Sequence, residues 1–401
     1  MILRSTTKKT TPWWLPGACL VLTGWCANQY VSLISWYQQF RELSEFEAML
    51  VMASYLLGMI PALAFGGPLA DKFGRKPFSL LALMCSILGS AGLVFGSMHD
   101  SGLYAGRVFT GFGMGLAMVA ITSWVKLISP GPAGATRAAL CTSLGFALGP
   151  VISGAIVGAT ASPELAYAVH GVAAFAWLLL LFTAKEEPAV DHAGNHSRAE
   201  PTTHENLQRF YRIVLPAAPW VFGMAATGFA IVPALSNGAG ESSLFYTTLA
   251  VAVTMGMGTL IQPFVKRFND LGKIRLLMAG LATSLAGLLL MIVVSLSSSE
   301  FLGTIAFVIA GAANGILLVA GLSQVLDLAG SADVGKLTGR FYMCCFIGFT
   351  FPTFFALWRT IAHPALFIGI LAVLCLLSMM QVYRSRRYLP NVVLEEVQNS
   401  P

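Results

Sequence analysis

Gly66-Gly67-Pro68-Leu69-Ala70-Asp71-Lys72-Phe73-Gly74-Arg75-Lys76-Pro77, or GGPLADKFGRKP, separates two long apolar runs. YLLGMIPALAF precedes it and FSLLALMCSILG follows it. One aspartate, three cations and three glycines share this short gap. So polar a stretch between such runs reads as a turn joining two helices that cross an apolar phase. Backbone polar groups cannot be left unpaired in lipid, so the runs themselves must be helical.

Composition carries the same message along the whole chain. Of 401 residues, 56% are hydrophobic and only 10% are charged. Soluble domains carry about 25% charged residues. Twelve segments are long enough to span about 30 Å of hydrocarbon as helices. They are 13–35, 48–68, 78–98, 102–125, 138–160, 165–184, 211–236, 244–265, 276–297, 301–326, 340–358 and 364–383. No period-2 alternation supports a β-barrel. The first segment follows a basic start but is too long for a cleaved signal, and no A-x-A site follows it.

The cations set the expected orientation. With the amino terminus taken as cytoplasmic, 21 of the 24 Lys and Arg residues fall in inside segments. Arg41 and Arg359 fall outside, and Arg107 falls within a span. This bias predicts a multi-pass protein of the cell's inner membrane with both termini in the cytoplasm. It also accounts for the net charge of +6 without a nucleic-acid partner. The seven cysteines all lie in apolar spans and read as packing residues, and no metal-ligand spacing occurs.

KEEPAVDHAGNHSRAEPTTHENLQRFYR, residues 185–212, is the one long polar stretch. It divides the chain into an N-terminal six-helix bundle (1–184), a cytoplasmic linker (185–212), a C-terminal six-helix bundle (213–388) and a tail (389–401). The halves repeat weakly. A shift of 198 takes Gly58-Met59 to Gly256-Met257, and Ser86 and Gly89 to Ser284 and Gly287. A shift of 200 takes Gly111 and Gly115 to Gly311 and Gly315. Duplicated halves around a midplane site are a common plan for secondary transporters.

Within the opening stretch, Gly67 is expected to let helices approach, and Gly74 to permit a reversal at positive φ. Lys72, Arg75 and Lys76 hold the turn at the inner surface. Asp71 stands at a helix end and needs a partner. Its counterpart in the second half is Asn269, so duplication alone does not explain the charge.

Gly67-Pro68-Leu69-Ala70-Asp71-Lys72-Phe73-Gly74-Arg75-Lys76 resembles the signature loop of the major facilitator superfamily, G-x-L-a-D-r-x-G-r-k. The resemblance implies an all-α membrane fold of twelve helices in two six-helix bundles related by pseudo-two-fold symmetry. It also implies a conformational switch at Gly67, Asp71, Gly74, Arg75 and Arg340, in which Asp71 and Arg340 latch the halves. A surface ion pair, or none, is the plainer alternative.

Arg107 begins Arg107-x3-Gly111-x-Gly113-x-Gly115, which resembles the family's second motif, whose arginine is implicated in proton coupling. A charge at this depth must face the protein interior or a water-filled cavity. A packing role, with Arg107 bonding carbonyls of the first span and locking helices together, is the alternative. In the fifth span, GFALGPVISGAIVG places Gly145, Gly149, Pro150 and Gly154 at helix-packing spacing. It resembles the antiporter motif G-x-x-x-G-P-x-x-G-G, with Ser153 replacing a glycine. That motif points to export, in the manner of drug–proton antiporters.

Such antiporters often carry an acid in the first span. Here LVLTGWCANQYVSLISWY has none. With no deep carboxylate to balance Arg107, a neutral or anionic solute is expected. Asn28, Gln29, Tyr30, Thr110, Thr227 and Asn314 are the expected polar lining. His170 is a candidate protonation site, although a packed, satisfied histidine is the plainer reading. The expected activity is proton-coupled export by alternating access, driven by the proton gradient without a cofactor. Uptake of an organic anion or sugar by proton symport is the alternative. No nucleophile, metal or phosphate-binding constellation supports an enzyme. The expected partners are the small-molecule solute, protons and the lipid bilayer, and the expected state is a monomer.

Overall fold

The computed structural model describes residues 11–129, 133–185, 201–236, 242–268, 273–329 and 334–388, with a few side chains, that of Asp71 among them, outside the description. The tail at 389–401 and most of the linker fall outside it as well. Among the described residues the chain is helical, with turns and no strand.

Among the described residues, eleven helices are long and apolar enough to cross a membrane. They are α2 (Glu45–Ala70), α3 (Arg75–Phe95), α4 (Asp100–Leu127), α5 (Arg137–Thr160), α6 (Pro163–Phe182) and α7 (His204–Leu235). They continue with α8 (Ser243–Val265), α9 (Ile274–Ser297), α10 (Glu300–Leu328), α11 (Lys336–Arg359) and α12 (Pro364–Arg384). The expected first span is shorter as a single helix. It begins with α1, Trp14–Gln29, gives way to a 3-10 turn at Val31–Leu33, and resumes over Ile34–Phe40.

Local chemistry sets several of these ends. Ser44 caps α2 with a reciprocal box: its hydroxyl accepts from the Glu47 amide at 3.2 Å, and the Glu47 carboxylate accepts from the Ser44 amide at 2.9 Å. Each bond pairs an amide the helix cannot serve itself. Ser162 and Ser299 cap α6 and α10 through the Leu165 and Leu302 amides. Gly74 ends the longer α2 helix with φ 96°, on the side that favours glycine. Thus the turn in GGPLADKFGRKP closes as its sequence predicts.

The chain divides into two compact units, Met1–Ser197 with Gly238–Gly256, and Arg198–Asn237 with Met257–Pro401. Gly238–Gly256 lies in the second half of the chain but groups with the first unit, where Thr248 stands against Gly154 of α5.

Helices in the first unit meet at backbone distance. A Cβ at Gly106 of α4 would lie 2.7 Å from the Leu93 amide and 2.8 Å from the Gly89 carbonyl oxygen of α3. Only glycine allows that approach, and small residues are what membrane helices use to pack closely. Gly111 meets the Tyr55 carbonyl of α2 in the same way, and Gly145 meets Val21 and Gly24 of α1. The second unit has a matching crossing, in which Gly348 of α11 meets Pro219 and Gly223 of α7.

Two details of the sequence reading shift. Gly67 is roomy, since a Cβ there would meet only Val119 at 3.9 Å, whereas one at Gly66 would meet Leu116 at 2.8 Å. Gly66 therefore makes the close approach, because it is the glycine whose face of α2 turns toward α4. Likewise Gly256 has nothing within 4 Å, while a Cβ at Gly258 would lie 2.7 Å from Asn314 Oδ1 and 3.2 Å from the Gly311 carbonyl oxygen. Gly58 packs on Val108 and Phe112 of α4, so Gly258 is its counterpart and the shift between halves there is 200. Contact geometry selects the equivalent glycine where a dipeptide match selected its neighbour.

Candidate functional site

The polar centre of the first unit forms where α1 ends. The last four carbonyls of a helix have no donor within it, and Ala27 and Gln29 are among them. Ser32 Oγ donates to the Gln29 carbonyl at 3.2 Å. Arg107 reaches across from α4 and donates through Nη1 to the Ala27 carbonyl at 2.7 Å. Its Nη2 donates to the Met52 carbonyl of α2 at 3.2 Å. The guanidinium is buried and stands over the rings of Tyr55 and Tyr30, at 4.8 and 5.6 Å from their centroids. Carbonyl dipoles and aromatic faces therefore stabilise this charge. Its Nε has no hydrogen-bond partner among the described residues.

Beside it lies a chain of neutral hydrogen bonds. His170 Nε2 is 2.9 Å from the Leu22 carbonyl, which can only accept, so that nitrogen carries a hydrogen. In the neutral ring, Nδ1 then accepts from the Ser90 hydroxyl at 2.7 Å. Ser90 in turn accepts from Gln29 Nε2 at 3.0 Å. Cys26 and Thr110 complete the cluster at 3.4 Å. Both ring nitrogens of His170 are thus engaged in packing contacts. Gln29 Oε1 is buried without a partner among the described residues, which makes it a spare acceptor at the centre of the network.

The expected lining residues are all buried. Tyr30 donates to the Ala48 carbonyl at 3.2 Å, and Thr110 to the Gly106 carbonyl at 2.8 Å. Asn28 donates to the Phe146 carbonyl of α5 at 3.3 Å. In the second unit Thr227 donates to the Met224 carbonyl at 2.9 Å, and Asn314 Nδ2 to the Val221 carbonyl at 2.8 Å. Arg107, Gln29, Tyr30 and Thr110 come together in one cluster, and Thr227 and Asn314 belong to the other unit. Ser90 and Tyr55 escaped the sequence reading. The available signals were Ser86 and Ser90 one turn apart in an apolar run, and Tyr55 one turn before Gly58.

Around the opening stretch, Arg75 Nε donates to Ser123 Oγ at 3.1 Å. Lys76 Nζ donates to the Phe182 and Ala184 carbonyls at 2.9 and 2.6 Å, at the last residue of α6 and just past it. Arg340 Nη1 donates to Tyr211 Oη at 2.8 Å. On α5, Gly145 and Gly149 face α1, Pro150 is buried, and Gly154 faces Thr248. Ser153 is buried and lies 3.4 Å from the Trp25 indole nitrogen, which donates to it.

Known proteins carry related sequences and folds. Quinolone resistance protein NorA of Staphylococcus aureus is 26% identical over 236 residues, covering 55% of this chain and 59% of that protein. Probable inositol transporter 2 of Arabidopsis thaliana is 28% identical over 145 residues, covering 35% of this chain and 24% of that protein. The chain thus spans about a quarter of one curated relative and about three-fifths of the other. Among solved structures, a POT family transporter in complex with 5-aminolevulinic acid superposes with TM-score 0.76 at 13% identity, over 93% of this chain and 95% of that one. A D-xylose–proton symporter superposes with TM-score 0.71 at 16% identity, over 93% and 96%. The profile of the Major Facilitator Superfamily matches residues 17–353. With its apolar helices and its signature turn at Gly66–Pro77, this chain belongs to the major facilitator superfamily of membrane transporters.

Proposed function

We propose that the protein is a secondary transporter of the cell membrane, with twelve spans in two pseudo-symmetric six-helix halves and both termini in the cytoplasm. It exchanges protons for a small neutral or anionic organic solute and exports that solute by alternating access. The observation that carries the export reading is the face of α5 made by Gly145 and Gly149, which packs on α1 and, with Pro150 beside it, belongs to the antiporter-like motif. Likeness to NorA, a quinolone resistance protein, supports it. The solute class follows from Arg107, which has no ion-pair partner among the described residues. A buried cation served by dipoles and rings but by no counter-charge repels cationic solutes in a low-dielectric interior. Asp71 and Arg340 form the proposed latch between halves, as a contact that is made in one state and released in the other.

Proton-coupled uptake is the second reading, favoured by the fold shared with a D-xylose–proton symporter. Everted membrane vesicles with an imposed pH gradient separate the two. Export predicts that an acid interior drives accumulation of an anionic dye. Uptake predicts that the gradient drives loss of preloaded xylose or inositol. Movement that ignores the gradient would overturn proton coupling in either direction.

A further inference from the structure

Pro150 has no amide hydrogen, so the carbonyl of Phe146, four residues earlier on α5, lacks its helical donor. A carbonyl left in this position inside a membrane protein must find a partner elsewhere. Asn28 Nδ2, on α1, donates to it at 3.3 Å. One turn earlier on α1, Trp25 Nε1 donates to Ser153 Oγ at 3.4 Å. The two bonds lie on either side of Pro150. Between them the backbones nearly touch, since a Cβ at Gly149 would be 2.7 Å from the Trp25 carbonyl oxygen.

We infer that Asn28 is a positioning residue that supplies the donor Pro150 cannot, and that Trp25 and Asn28 together clasp the proline bend of α5 onto α1. The residue type follows from the chemistry. A primary amide donates without charge, a carboxylate cannot donate, and an alanine leaves the Phe146 carbonyl unpaired. Asn28 thus acts through α5, and its amide is already committed to a carbonyl. The clasp ties the bend of one helix to the position of another, because the missing rung of the α5 ladder is completed from α1. In alternating access, a consequence that rests on the transport reading above, a shift of α1 would be felt directly at the α5 bend.

The test is a double-mutant cycle on the full chain in detergent. Replacing Pro150 by alanine returns an amide hydrogen at position 150, which can serve the Phe146 carbonyl from within α5. Asn28→Ala is therefore expected to lower the melting temperature in the Pro150 background. At least about half of that loss should vanish in Pro150→Ala, as expected of two groups sharing one partner. Asn28→Leu keeps about the same volume, has no donor in either charge state, and should behave like Asn28→Ala; it also replaces that variant if the alanine form does not fold. The second readout is infrared absorption of protein labelled with carbonyl-¹³C phenylalanine. Asn28→Ala should shift labelled intensity to higher frequency, and should not do so alongside Pro150→Ala. Equal losses in both backgrounds with no infrared shift would overturn the clasp. A positive cycle in a protein that moves no solute in vesicles would leave the clasp standing and remove the transport reading.

Discussion

Arg107 Nη1 stands 2.7 Å from the carbonyl oxygen of Ala27, joining the first third of α4 to the end of α1. With its second bond to Met52, the guanidinium links α4 to both α1 and α2. This is the locking arrangement that the sequence left as the alternative to coupling. The two roles are compatible, because a charge that completes the broken end of α1 will respond when that end moves.

Arg107→Met is therefore expected to keep the fold while losing transport. Removing the cation forfeits two charge-assisted bonds of about 1.5–3 kcal/mol each, but it also ends the desolvation of a buried charge, which is of similar size. The melting temperature should change by only a few degrees. Gradient-driven transport should fall at least about tenfold, equivalent to about 1.4 kcal/mol in the barrier. Lysine has no fork to reach both carbonyls and should rescue transport poorly. Transport rates of Arg107→Met and Arg107→Lys near wild type would remove Arg107 from the mechanism.

Which parts of this were legible beforehand follows from the physics of each feature. The helices were legible because a long apolar run has no other stable form in lipid. The turn at Gly74 was legible because its glycine, cations and flanking runs all agree. The destinations of Asn28 and Asn314 were not legible. A helix with oil on its lipid side and oil on its protein side has little amphipathic pattern to fix its rotation. Both amides were read as lining a cavity, and both are bonded to helix carbonyls. The break in α1 was hidden for a related reason. It is supported by Arg107 and Ser32, and nothing in its local sequence forbids a continuous helix.

Gly256 and Gly258 test the register of the internal repeat. Alanine at 256 meets open space and should also gain helix propensity, so it should be neutral or slightly stabilising. Alanine at 258 must push aside Asn314 and should cost about 1–3 kcal/mol as overpacking. Thermal melting of the two purified variants decides between them. A larger loss at 256 than at 258 would restore the shift of 198 as the structural one.

Lys76 ties the opening stretch to the start of the linker. Its ammonium bonds the Phe182 and Ala184 carbonyls, where α6 ends and backbone acceptors lack helical donors. A cation at a helix C-terminus contributes about 0.3–1 kcal/mol. Lys76→Met should therefore open the segment before Lys185 more often, and limited trypsin digestion should cleave after Lys185 about two- to fivefold faster. Since Lys76 is itself a tryptic site, the comparison is made on the fragment ending at Lys185. An unchanged rate would mean that the cap adds nothing to the anchoring of this segment, leaving the task to Thr11, whose hydroxyl bonds the Lys185 backbone.

Arg41 and Asp100 form an ion pair at 3.1 Å, with side chains 25% and 59% exposed. Pairs this open contribute about 0–1 kcal/mol and weaken in salt. Arg41 has a second task, since its Nη1 also donates to the Gly96 and Ser97 carbonyls at the end of α3. Removing the Asp100 charge forfeits the pair and a weak, equally salt-screened attraction to the start of α4, whereas removing Arg41 also strips donors from those carbonyls. Asp100→Asn should therefore melt within about 1 °C of wild type at 0.5 M salt. Arg41→Ala should lose roughly 1–2 kcal/mol under the same conditions, as expected for hydrogen bonds from a charged donor. Equal losses for the two variants would assign the whole effect to the ion pair and leave the helix-end bonds without weight.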